Sequence, residues 1–108
     1  MKKIILIYIL CFFSTICFAQ IKAVHFNAEW NEKNSVEWFS KLSDCQKKTL
    51  TIDGNDLQQK HQIAIVPTII IFNDGEEIKR FQADISFKMA ATKNEIQDFI
   101  DELIISQF

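Results

Sequence analysis

Val66-Pro67-Thr68-Ile69-Ile70-Ile71-Phe72-Asn73-Asp74-Gly75-Glu76 is the stretch that decides the fold. It lies within an apolar run from Ile63 to Phe72 that only Thr68 and Pro67 interrupt. Proline has no N–H to give to a sheet ladder, so it splits the run and starts the strand at Thr68. Asn73-Asp74-Gly75-Glu76 then reads as a hairpin turn. It joins the strand Thr68 to Phe72 to a second one, Glu77 to Gln82, whose apolar members are Ile78 and Phe81.

Upstream, Ile21 to Phe26 is a short β-type run that ends in Asn27 and Ala28. The stretch Asn34 to Leu42 places Val36, Phe39 and Leu42 at helical spacing, with Trp38 widening the apolar face, and predicts a helix. Thr49 to Ile52 reads as another strand, closed by the turn formers Asp53-Gly54-Asn55. Asp56 or Asn55 is placed to cap a brief helix from Leu57 to His61. Downstream, Thr92-Lys93-Asn94-Glu95 has capping-box spacing. Ile96, Phe99, Ile100, Leu103 and Ile104 follow it at i, i+3, i+4, i+7 and i+8, the signature of an amphipathic helix. The order is β-α-β-α-β-β-α. A parallel crossover unit followed by a hairpin and a covering helix implies a four-stranded mixed sheet with helices on both faces, a three-layer α/β/α domain.

The 108 residues are 48% hydrophobic and 24% charged, with two glycines and one proline, which excludes collagen-like, mucin-like and strongly disordered classes. Residues 1–19 have the layout of a secretory signal peptide, with Lys2 and Lys3 ahead of an uncharged apolar run and a small-residue cleavage site after Ala19. The run is short for a membrane anchor. Cleavage leaves residues 20–108 as one domain, with no membrane span, in the periplasm or outside the cell. That domain has ten basic and fourteen acidic side chains, a net charge of −4, and no basic stripe to hold nucleic acid. Cys11 and Cys17 leave with the leader, so Cys45 is the single thiol that remains.

Two motifs, Val24-His25-Phe26-Asn27-Ala28-Glu29-Trp30 and the Val-Pro-Thr strand with its Asn-Asp-Gly-Glu hairpin, make the chain resemble the thioredoxin family. The resemblance covers nearly all of residues 20–108 and implies the minimal form of that fold, without the first strand and helix of full-length members. It also implies that a Cys-x-x-Cys motif should follow Trp30. Here the residues are Asn31-Glu32-Lys33-Asn34, so both cysteine positions hold asparagine. A redox-active thiol there depends on a helix N-terminus to stabilise its thiolate. Asparagine is among the best N-caps, so Asn31 is expected to retain the cap after the nucleophile is gone. The resemblance further assigns the position of the buried carboxylate to His25 and that of its lysine partner to Thr49. Without two thiols the exchange cycle has no resolving step, so no dithiol catalysis is expected.

What the resemblance leaves is a docking edge. It implies a cis peptide bond at Pro67 and assigns an extended polypeptide, or an envelope protein partner, to Trp30, Val66, Pro67 and Thr68 by strand pairing. Cys45 has three readings: a partly buried small hydrophobe, a single-thiol exchange residue, or the link of a homodimer. His25 and His61 lack further donors at ligand spacing, so neither a metal nor another cofactor is expected.

Overall fold

The structure, a computed structural model, describes residues 20–107. The expected leader, residues 1–19, lies outside the described residues. Four strands form one sheet: β1 (Ile21–Asn27), β2 (Gln46–Thr51), β3 (Thr68–Asn73) and β4 (Glu76–Gln82), in the order β2-β1-β3-β4. β1 runs parallel to β2 and antiparallel to β3, and β4 returns antiparallel to β3. The two most apolar runs occupy the interior because only interior strands are covered on both faces. The edges are polar: Gln46, Lys47 and Lys48 of β2 are exposed, and lysines on an edge discourage pairing with another chain. Because the polar start of β2 hides it in the sequence, the strand begins three residues before the expected Thr49.

The β3–β4 turn follows from its residues. Asp74 and Gly75 have φ of 53° and 84°, the two positive values that a type I′ hairpin turn demands. The Asp74 side chain accepts the N–H of Gln20 at 2.9 Å, and its own N–H returns to the Gln20 carbonyl at 2.9 Å, which ties the hairpin to the start of β1.

The helix expected over Asn34 to Leu42 does not form. Two 3-10 segments stand there instead, Glu29–Asn34 and Glu37–Lys41, separated by extended backbone at Ser35 and Val36. Val36, Phe39 and Leu42 recur every three residues, which is the 3-10 period, so all three eclipse one another and are buried. Helix α1 (Leu57–Lys60) is a single turn. Its start is satisfied by Asn55, whose side-chain oxygen accepts the Leu57 N–H at 3.0 Å, and not by Asp56. Helix α2 (Lys93–Ile105) begins as expected: Thr92 Oγ1 accepts the Glu95 N–H at 3.2 Å.

Two cores result, one on each face. Ala23, Ile69 and Ile71 pack against Val36, Phe39 and Leu42 and against Ile96 and Ile100 of α2. On the other face Val24, Phe26 and Ile70 pack with Ile63 and Val66.

Candidate functional site

β1 ends at Asn27, and the chain turns at once into the first 3-10 segment. This brings Asn31 beneath Val66, on the approach to β3, and Phe87, in the loop after β4. Asn31 is only 2% exposed, and a buried amide is costly unless its donors and acceptor are used. They are used. Its Nδ2 donates to Asn27 Oδ1 and to the Phe87 carbonyl, both at 3.1 Å, with the Val66 carbonyl at a longer 3.4 Å. Its Oδ1 accepts from Asn34 Nδ2 at 2.8 Å. Asn27 Nδ2 closes the network on the Asn31 carbonyl at 3.1 Å and on Ser35 Oγ at 3.0 Å.

Asn31 is therefore not the expected N-cap. The capping position falls on Ala28, with no side-chain bond, and Asn31 itself is non-helical at φ −113° and ψ 18°. The first free N–H of the segment, that of Glu29, goes to the Asp53 carboxylate at 2.6 Å. That bond is the first cause that holds the Asp53 carboxyl below its ordinary range; the Thr51 hydroxyl adds to it.

The expected docking residues divide by exposure. Trp30 is 62% exposed, whereas Val66, Pro67 and Thr68 are buried. The Val66–Pro67 bond is cis. Thr68 Oγ1 donates inward, to the Ile65 carbonyl at 2.6 Å. Above them the Trp30 ring meets Phe87 edge-on, with centroids 5.1 Å apart. Phe87 has φ of 62°, a left-handed conformation rare for a bulky residue. A tight turn holds it there: its N–H reaches the Asp84 carbonyl at 3.0 Å, and the Asp84 carboxylate gathers the Ser86 N–H and hydroxyl. Ser35 and Phe87 complete the site and belong to no sequence motif, and Asn27, inside the Val24 to Trp30 motif, joins them. Asp84 and Ser86, an Asx-turn pair, are the one local signal that this loop folds tightly.

His25 is buried on β1, in register with Thr49 of β2, and its ring lies 5.3 Å from that of Phe39. Its Nε2 has no hydrogen-bond partner. Desolvation pushes the imidazole down from 6.5 to about 4, so it stays neutral at physiological pH. Cys45 is half-buried against the α2-side core, away from Asn31. Burial, more than the neighbouring Asp44, pushes its thiol up against the pull of Lys47. Among the described residues no three His, Cys, Asp or Glu side chains gather to hold a metal, and no helix is long and apolar enough to cross a membrane.

The sheet order, the cis proline at the head of β3 and the turn after Trp30 define a thioredoxin-like α/β fold. Solved structures agree. A point mutant of thioredoxin from Halobacterium salinarum NRC-1 matches with a TM-score of 0.61 at 20% identity, over 77% of this chain and 74% of that one. Thioredoxin from Fasciola hepatica matches with a TM-score of 0.58 at 18% identity, over 77% and 80%. The reduced Schistosoma mansoni thioredoxin pre-protein matches with a TM-score of 0.62 at 21% identity, over 77% and 78%. Likeness at this level of identity establishes the fold. No family model and no curated protein matches the chain.

Proposed function

We propose that this chain is an exported thioredoxin-like domain without redox chemistry, a polypeptide-binding or envelope-assembly module. The observation that carries the reading is the buried amide network at Asn31 and Asn34, the positions at which the family resemblance calls for thiols. An amide is no nucleophile. His25, buried and neutral two residues before Asn27 on β1, has none of the charge that a carboxylate would use to take a proton from a thiol.

The binding role rests on Trp30. A mostly exposed tryptophan braced edge-on by a second aromatic ring presents a large apolar contact at little entropic cost. The same network reaches the carbonyl of Val66, so a peptide that pairs with that carbonyl must compete with the Asn31 amide at 3.4 Å. Docking on the aromatic edge involves no such competition.

Cys45 supports neither exchange nor dimerisation well. A raised thiol is mostly protonated at neutral pH, and the thiolate is the reactive species.

The test has two arms. The purified protein is expected to reduce insulin disulfides no faster than the background of a free thiol. Extended peptides titrated into the 15N-labelled protein are expected to shift the Trp30 indole and Phe87 amide signals. Turnover that survives Cys45→Ser, or peptides that leave Trp30 unmoved, overturns the corresponding half of the reading.

A further inference from the structure

The two faces of the sheet are covered unequally. One carries the 3-10 segments and the thirteen-residue α2, while the other is covered by the four-residue α1 and by the loop residues Ile63 and Val66. Register places Lys22, Val24 and Phe26 of β1 on this second face, flanked by Lys48 and Leu50 of β2 and by Phe72 of β3. Between them lies a half-open groove of about 460 Å3, whose apolar surface comes from half-buried Leu50, Leu57 and Phe72 over buried Val24 and Phe26. His61, at the end of α1, forms its wall, with ring centroids 5.1 Å from Phe26 and 6.0 Å from Phe72.

The rim is basic. Lys22, Lys48 and Lys60 line the groove and no carboxylate does. Of the acids at its ends, Asp74 holds the Gln20 N–H at 2.9 Å and Glu77 pairs with Arg80 at 2.8 Å, while Asp56 and Glu76 stand exposed beside the lining residues Leu57 and Gly75. Among the described residues none of the three lysines is in an ion pair. Lys47, one step along β2 and so on the opposite face, is occupied with the carbonyls of Ser40 and Leu42. Three free cations over an apolar floor, in a domain of net charge −4, invert the charge locally and select an anionic ligand.

We propose that this groove docks an acidic amphipathic helix of a partner polypeptide, which extends the thin cover of the second face. A sheet face of this kind is normally buried under helix. A docking helix would place apolar residues at i, i+3, i+4 and i+7 on the floor and carboxylates toward the lysines. Charge complementarity also separates the occupants. Residues 1–19 of this chain are charged only at Lys2 and Lys3, which the rim repels. A second copy offers the acidic side of α2, but Ile96 and Ile100, its apolar anchors, are already committed to its own core.

The groove shares no lining residue with the space beside Trp30, so it stands independently of the peptide edge. The probe is a synthetic helical peptide with Leu at i, i+3, i+4 and i+7 and Glu elsewhere, titrated at low salt into 15N-labelled protein expressed as the full chain and purified in its processed form. The expected result is amide shifts at Val24, Leu50 and Phe72. Affinity should drop about tenfold or more in Lys22→Glu/Lys48→Glu/Lys60→Glu and stay unchanged in Trp30→Ala. Should the triple variant not fold, Lys48→Gln on the exposed edge strand is expected to weaken binding about threefold by itself. Equal binding of a Lys-for-Glu peptide overturns the proposal. So does the absence of shifts on this face, or a face that answers only to anionic lipid vesicles.

Discussion

Asn31 and Phe87 are joined, across 56 positions of sequence, by a hydrogen bond of 3.1 Å from the side-chain amide to the backbone carbonyl. The bond ties the turn after β1 to the loop after β4, and the same amide reaches the carbonyl of Val66, next to the cis bond, at 3.4 Å. The bond is a structural joint between two distant loops.

Removal of that joint is expected to be costly. Asn31→Ala leaves Asn27 Oδ1, Asn34 Nδ2 and the Phe87 carbonyl without their partner, and stranded buried polar groups cost about 2 to 3 kcal/mol in total. Urea unfolding at neutral pH should show the midpoint falling at constant m-value. A loss below about 0.5 kcal/mol would mean that the network contributes nothing the surroundings cannot replace.

Phe87 separates stability from binding. Phe87→Gly relieves a left-handed aromatic residue, a strain of about 1 kcal/mol or more, and loses an edge-on stack worth about 1 kcal/mol. The two effects nearly cancel, so the melting temperature should stay within a few degrees while peptide binding at Trp30 weakens several-fold. A large drop in melting temperature would show that the ring holds the loop, not the ligand.

Placing thiols at positions 31 and 34 should not create an efficient enzyme. The side chains of residues 31 and 34 touch, so Asn31→Cys/Asn34→Cys is expected to form a disulfide under mild oxidation. The first segment is a six-residue 3-10 turn with a non-helical residue at Asn31, so its N–H groups do not converge on that position as a long helix would aim them. The first thiol should therefore titrate no lower than an ordinary cysteine, and burial at position 31 acts to raise it. Insulin turnover by the double variant is expected to rise only slightly above the wild-type background. An ultraviolet thiolate titration gives the answer directly.

These expectations mark where the sequence was legible. β3, its hairpin and α2 were readable because their signals are local: a proline, an Asp-Gly turn and a Thr-x-x-Glu box each act within four residues. The Val36, Phe39, Leu42 spacing fits helix and 3-10 turn alike, and the extended backbone at Ser35 decides between them. At the site, the asparagines at positions 31 and 34, where the family resemblance implies thiols, are plain from the sequence. The role of Asn31 is not, because its partners Asn27, Val66 and Phe87 lie 4, 35 and 56 positions away and meet only in the fold.

His25 predicts a pH profile. Burial lowers its folded value to about 4 from 6.5, so the unfolded chain binds the proton more tightly. Stability from this group is complete above pH 6.5 and is lost as pH falls from there toward 4, by about 3 kcal/mol at the limit. Asp53, Glu77 and Asp84 are held below their ordinary values of 3.8, 4.5 and 3.8, by the Glu29 N–H, Arg80 and the Ser86 hydroxyl respectively. Their contributions fade only below about pH 4.5, so the two windows separate. Between pH 6.5 and 4.5 the unfolding free energy of the wild type should slope downward with falling pH. His25→Leu, which keeps an apolar side chain against Phe39 and has nothing to protonate, should be flat across that window. A slope that persists in the variant would assign the acid sensitivity to another group and leave His25 as packing alone.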